Sequence, residues 1–282
     1  MKSDIRETLM RLVFLLTAAV SILCVVLICV FIFGGGLPAI FEIGPLDFLF
    51  GLDWKPSSGL FGILPMIVGS LYVTAGAILI GMPIGLLCAV FLARFCPPFL
   101  YRLVKPAVDL LAGIPSIVYG FFGLVVIVPI MQRLTGTGGK GVLTASILLG
   151  IMILPTIVSV SESALRAVPE SYYEGALGLG ATRERAVFCV CLPAARSGIL
   201  AGIILGVGRA IGETMAVQMV AGNQAILPTG PLSGVRTLTA NIVMEMGYAA
   251  DLHREALIAT AVVLFVFILI INLCFSALKR KE

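Results

Sequence analysis

Charged residues are missing from five long blocks of this chain: between Arg11 and Glu42, Lys55 and Arg94, Asp109 and Arg133, Lys140 and Glu162, and Glu255 and Lys279. Each block reaches the ~20 residues a helix needs to cross ~30 Å of hydrocarbon. Backbone groups in lipid must pair within their own segment, so the blocks are expected to be helical. The pattern predicts spans at about Leu12–Phe33, within Leu64–Leu92, at Leu110–Met131, Val142–Val160 and Ala256–Leu278. A sixth run, Gly198–Ala221, is interrupted by Arg209 and Glu213. Gly34-Gly35-Gly36-Leu37-Pro38 is expected to end the first span. The fold class expected is therefore an all-α membrane protein of about six transmembrane helices, with a single transmembrane domain over residues 1–282.

Composition agrees with the pattern. Hydrophobic residues make up 60% of the chain and charged residues 12%, against roughly a quarter charged in soluble domains. A soluble protein of this size has too little interior to hide so much apolar side chain. Positive charge is unevenly spread: the N-terminus, the 94–109 and 161–197 loops and the C-terminus hold thirteen Lys and Arg residues, among them Lys2, Lys279, Arg280 and Lys281, and the opposite loops hold five. That bias places both termini in the cytoplasm. The run from Leu12 is too long for a signal peptide and no A-x-A pattern follows it, so it is expected to stay as an anchor. The net charge of +4 names no partner, and no nucleic acid is expected. On this topology none of the seven cysteines lies in an outer loop, and His253 is the only histidine, so neither a disulfide framework nor a metal site is expected.

Three polar segments remain. Two, residues 34–63 and 222–255, are long outer connections suited either to simple linkage or to docking of an extracytoplasmic partner. The third, 161–197, is punctuated like a helix–turn–helix elbow. Pro169 opens a helix, Glu170 and Glu174 suit its first turns, Gly178 and Gly180 permit the left-handed turn that ends it, and Thr182 caps a second short helix. The segment Glu174-Gly175-Ala176, then Gly180, then Val190-Cys191-Leu192-Pro193 resembles the EAA loop of ABC importer permeases, with Gly175 for the usual alanine and Val190 for isoleucine. The resemblance implies that residues 169–193 form the coupling element that docks on an ATPase subunit, with Glu174, Gly175, Ala176, Gly180, Leu192 and Pro193 carrying the match.

Inside the sixth run, Arg209 lies eleven residues beyond Gly198, about 16 Å along a helix and so near the midplane. On a continuous helix Glu213 would share its face. A charge at that depth costs several kcal/mol unless it is paired or faces water, which makes it a functional candidate. A guanidinium matches oxyanion geometry bidentately, and a carboxylate beside it can accept a hydrogen bond from a protonated anion. A self-neutralising structural pair is the alternative reading. Gly206, Gly208 and Gly212 remove bulk alongside.

The run Arg209-Ala210-Ile211-Gly212-Glu213-Thr214-Met215-Ala216-Val217, together with Ala112-Gly113-Ile114-Pro115-Ser116-Ile117-Val118-Tyr119-Gly120, is similar to the permeases of phosphate-specific importers, and its ending to the PstC-type subunit. What this implies is a type I ABC importer (MetI-like) bundle, with a core over about 64–278 and an anion path at Arg209 and Glu213. It also implies a PstA-like sister permease, a PstB-like ATPase dimer, an extracytoplasmic phosphate-binding protein, inorganic phosphate as cargo, and a cytoplasmic (inner) membrane location. No cofactor is expected in this chain, since ATP would be used by the partner subunits. Gly136-Thr137-Gly138-Gly139-Lys140-Gly141 lacks the spacing and the Ser/Thr of a phosphate-cradling loop. The same machine for molybdate or sulfate, or a partner that senses phosphate occupancy without moving it, remains open on the sequence.

Overall fold

The structure, a computed structural model, describes residues 2–280, with side chains described over 6–274. Of the basic residues counted for orientation, Lys281 lies outside the described residues, and the side chains of Lys2, Lys279 and Arg280 lie outside those described. The chain is a helical membrane bundle. Among the described residues five helices are long and apolar enough to cross a membrane, and a bent pair, 183–194 with Arg196–Gly212 at 71°, makes six when counted as one span.

The first helix, α1 (Lys2–Ile43), does not stop at the glycine run. A Cβ on Gly36 would come within 2.6 Å of Val262 and 3.0 Å of the Ala259 backbone. Gly35 and Gly36 thus seat α1 against the last helix, α14 (Asp251–Arg280), and Pro38 is carried inside α1. In lipid, small residues at a helix contact let backbones approach closely, so a run that reads as a terminator in water serves as a packing face here.

The centre is α7 (Val142–Arg166), packed along α3 (Leu64–Val90). Glycines again set the approach: a Cβ on Gly81 would meet the Gly150 carbonyl at 2.7 Å, and one on Gly85 would meet Ile157 at 3.0 Å. Ser146 Oγ donates to the Val73 carbonyl at 3.2 Å across the same interface. After a π-helical turn at 91–95, α4 (Pro98–Gly113) runs to a break at Ile114-Pro115. The expected span over Leu110–Met131 is therefore divided. Proline forces the preceding residue out of the helical region, and Ile114 is extended at φ −70°, ψ 127°. The membrane crossing is instead Ser116–Thr135, made of α5 (Ser116–Phe122), a π-helical turn and α6 (Val128–Thr135).

At one end of the bundle, α2 (Pro45–Phe50), the two-stranded pair β1 (Trp54–Lys55) and β2 (Leu60–Phe61), and α13 (Leu238–Glu245) form a cap. The nearly buried Glu245 carboxylate ties it together: it accepts from Trp54 Nε1 at 2.8 Å and Arg236 Nη1 at 2.6 Å, and lies 2.9 Å from His253 Nε2. The two long polar segments are thus one packed unit.

Candidate functional site

The sequence candidates fall at the two ends of a single helix. The elbow comprises α8 (Glu170–Gly178), α9 (Arg183–Ala186), a π-helical turn at 187–191 and α10 (Leu192–Ala194), and it leads directly into α11 (Arg196–Gly212). Arg209 is thirteen residues beyond Arg196, about 20 Å along that rod. The elbow and the intramembrane charges are therefore not one site; α11 joins them.

The elbow forms largely as its residues dictate. Gly180 has φ +87°, the left-handed turn that ends α8 at little cost only for glycine. Gly178 stays helical, and Pro169 sits at the N-cap of α8 rather than inside it. Thr182 Oγ1 accepts from the Arg185 N–H at 3.3 Å, capping α9. The Glu184 carboxyl is held below its ordinary value by its own backbone N–H, with the Thr182 hydroxyl next. Glu174, Gly175 and Pro193 are exposed and Ala176 and Leu192 half-buried, while Leu179, Tyr172 and Phe188 present apolar surface to the outside.

At the other end the helix breaks. Residues 213–214 leave the helical path, with Glu213 at φ −70°, ψ 129°, before α12 (Met215–Val220) resumes. This corrects the reading of Glu213 as lying one turn beyond Arg209 on the same face. Its Oε1 accepts from the Ala216 N–H at 3.1 Å, and Thr239 Oγ1 donates to its carbonyl at 3.1 Å. A carboxylate that can satisfy backbone donors at a helix start stabilises the break it creates. Among the described residues Arg209 and Glu213 form no ion pair, and no side-chain hydrogen bond engages Arg209. The half-buried Arg209 lies within electrostatic reach of the Tyr119 phenol.

Tyr119 belongs to the second quoted motif, and the structure brings both motifs together. Gly120 on α5 packs on α12 so closely that a Cβ there would meet Ala216 Cα at 2.9 Å. Tyr119 Oη donates to the Leu111 carbonyl at 2.8 Å, satisfying a group freed by the Ile114-Pro115 break. Two interrupted helices thus lie side by side inside the membrane region. Irregular backbone at that depth is tolerated where it is buried in protein or lines a cavity. Beneath Glu213 is a small cavity bounded by Ser70, Thr74 and Thr237 hydroxyls with Val73 and Leu149. Cβ atoms on Gly208 and Gly212 would meet nothing within 4 Å, so the surface around Arg209 is open; Gly206 packs on Ile157 instead.

Sequence reasoning missed a second charged group near the elbow. Glu162 on α7, 2% exposed, lies 3.1 Å from Lys105 Nζ and accepts from Arg166 Nε and Tyr101 Oη at 2.8 Å each. The bond to Glu162, and then burial, hold the Tyr101 phenol above its usual value. Its partners are spread over sixty residues, so no local pattern marks the cluster.

Comparison with known proteins bears on both regions. A family profile described as "Binding-protein-dependent transport system inner membrane component" matches residues 81–281. A probable ABC transporter permease protein, YqgH of Bacillus subtilis, is 38% identical over 96% of this chain and 91% of its own length. The phosphate transport system permease protein PstC of Mesorhizobium japonicum is 37% identical over 90% of this chain and 85% of its own. Among solved structures, a chain of the inward-facing MetNI methionine ABC transporter aligns at TM-score 0.61 and 22% identity, covering 81% of this chain and 99% of that one. A chain of a bacterial alginate ABC transporter in complex with a pentasaccharide-bound periplasmic protein aligns at 0.63 and 15%, covering 94% of each.

Proposed function

This chain belongs to the family of binding-protein-dependent transport system inner membrane components, its relatives within it include PstC phosphate permeases, and we propose that it is the permease subunit that carries inorganic phosphate in an ATP-driven importer. The observation that carries the reading is Arg209: a guanidinium inside a membrane crossing, beside a helix break, with no carboxylate partner among the described residues. An unpaired cation at that depth costs about 3 kcal/mol. A tetrahedral oxyanion offsets that cost through two parallel charge-assisted bonds. Its modest and transient hold allows the anion to leave again.

The elbow supplies the other half of the machine. It docks on an ATPase subunit, a PstB-like dimer working with this chain and a PstA-like sister, and both termini face the cytoplasm on the same side. The chain carries no ATP-hydrolysing motif of its own. The cap built around Glu245 faces an extracytoplasmic phosphate-binding protein. Closure of the ATPases moves the elbow, α11 transmits the displacement, and the paired breaks at 114–115 and 213–214 open to one side or the other as phosphate passes Arg209.

The test is uptake of labelled phosphate by the assembled complex in proteoliposomes. Arg209→Ala is expected to lose uptake while all subunits still co-purify. Uptake at the unmodified rate by that variant overturns the assignment.

A further inference from the structure

The elbow helix α8 contributes no fully buried side chain. Between it and α7 lie only Ala167, Val168 and Pro169. A helix joined by three residues, with the half-buried Tyr173 ring set against the cluster of Leu165, Val168 and Val187 and no fully buried side chain, needs a further fixture if a pushed elbow is to move the spans.

That fixture is Arg94. Its side chain leaves the π-helical end of α3 and is only 9% exposed. Nη1 donates to Glu170 Oε2 at 2.7 Å, and Nη2 donates to the Leu165 carbonyl at 3.1 Å and the Val168 carbonyl at 3.4 Å. The guanidinium also lies 5.7 Å from the centre of the Tyr173 ring. Leu165 and Val168 stand at the C-terminal end of α7, where carbonyls have no helical N–H to meet and the dipole favours a cation. Glu170 is the first residue of α8. One side chain from α3 therefore grips both sides of the α7–α8 corner. The exchange is reciprocal, because Arg166 on α7 donates through Nη2 to the Leu92 carbonyl at 2.9 Å and through Nε to Glu162. The ends of α3 and α7 are locked to each other, and Arg94 extends the lock to the elbow.

We propose that Arg94 is the positioning residue that couples the elbow to the membrane helices, its bond to Glu170 converting displacement of α8 into displacement of the α3–α7 pair. The proposal rests on the reading of the elbow as the ATPase docking element. A static helix cap would hold the fold and nothing more; a coupling residue sets how much transport each ATP yields.

The experiment is phosphate moved per ATP hydrolysed, measured with the full complex in proteoliposomes beside a thermal melt. Glu170→Gln removes the ion pair but leaves Arg94 on the α7 carbonyls, so the melt should hold while transport per ATP falls by about fivefold or more. Arg94→Ala should show the same uncoupling with a lowered melt. Arg94→Lys keeps a cation but cannot serve Glu170 and both carbonyls together, and should fall between. A photo-cross-linker at Leu179, 92% exposed on the elbow, should capture the ATPase subunit in the otherwise unmodified complex. Capture with an unmodified transport ratio in Glu170→Gln and Arg94→Ala overturns the role of Arg94 alone. Absence of capture overturns the docking reading and this proposal with it.

Discussion

The two ends of α11 treat charge in opposite ways. Near the elbow, at the α3–α7–α8 junction, Arg94 is answered by Glu170 at 2.7 Å, and Lys105 and Arg166 by Glu162 at 3.1 and 2.8 Å. At the break, Arg209 has no such partner among the described residues, and Glu213 Oε1 accepts from a backbone N–H. Mutual pairing makes the junction stiff and indifferent to small anions. An unanswered cation beside an open, glycine-lined surface is the reverse: it is poor for stability and available to a ligand. Charge in a membrane protein thus reads as structure or as function according to whether the protein itself completes it.

The largest effect that tests this contrast is Arg209→Ala. Loss of a bidentate contact in a low-dielectric site, ~3 kcal/mol, corresponds to a fall in phosphate uptake of about a hundredfold. Its melting temperature should stay level or rise, because removing an unpaired charge relieves a cost. Arg209→Lys should also transport poorly, since a point charge lacks the paired donors. A marked fall in melting temperature for Arg209→Ala would make the break structural and erase the difference between the two ends.

Glu162→Gln should behave in the opposite sense. It leaves Lys105 and Arg166 without their shared anion at a nearly buried position, which costs about 3 kcal/mol of stability. The expected readout is a lower melting temperature of the assembled complex, with transport falling only in step with the folded fraction. A selective loss of transport by folded complex would mean that this cluster also touches the anion.

Gly180→Val is smaller again. Open space surrounds the position, so the penalty is backbone alone: φ +87° in a β-branched residue costs ~1–2 kcal/mol. Weaker co-purification of the ATPase is expected, with the membrane bundle intact. Unchanged co-purification together with unchanged uptake would remove the elbow from the docking role.

Much of this was legible in the sequence because lipid simplifies the problem: long uncharged blocks have one way to satisfy their backbones. The αL turn at Gly180 and the cap at Thr182 were equally readable, being local chemistry. The breaks were not. Ile114-Pro115 reads as a kink as easily as an interruption, and Glu213 looks like a residue in a continuous helix until Ala216 N–H and Thr239 are seen to hold it outside one. Gly35 and Gly36 read as a terminator for a related reason, since their packing role depends on α14, more than two hundred residues away. Arg94, Glu162 and Glu245 each find partners 60 to 190 positions distant, as with Arg94 and Glu170 or Trp54 and Glu245, beyond any spacing rule.

The finest test separates recognition from mere attraction and rests on Glu213. Arg209 alone would accept any tetrahedral oxyanion that reached it. A carboxylate close by repels a fully ionised anion such as sulfate, yet accepts a hydrogen bond from one that still carries a proton, as phosphate does near neutral pH. Glu213→Gln suits the question because the amide oxygen can still accept from the Ala216 N–H, so the break and α12 should survive. What disappears is the charge, worth ~1 kcal/mol at the separations and effective dielectric of such a site. Sulfate should then compete about fivefold better against phosphate transport than it does with Glu213 present. The measurement must bypass the extracytoplasmic binding protein, so that the membrane step alone is read. If Glu213 served only to shape the break, Glu213→Gln would leave the competitor ratio unchanged, and Glu213→Ala, which removes the acceptor as well, would lower the melting temperature without altering selectivity. Such a pair of results would leave Arg209 as an unselective cation and move discrimination between oxyanions out of the membrane.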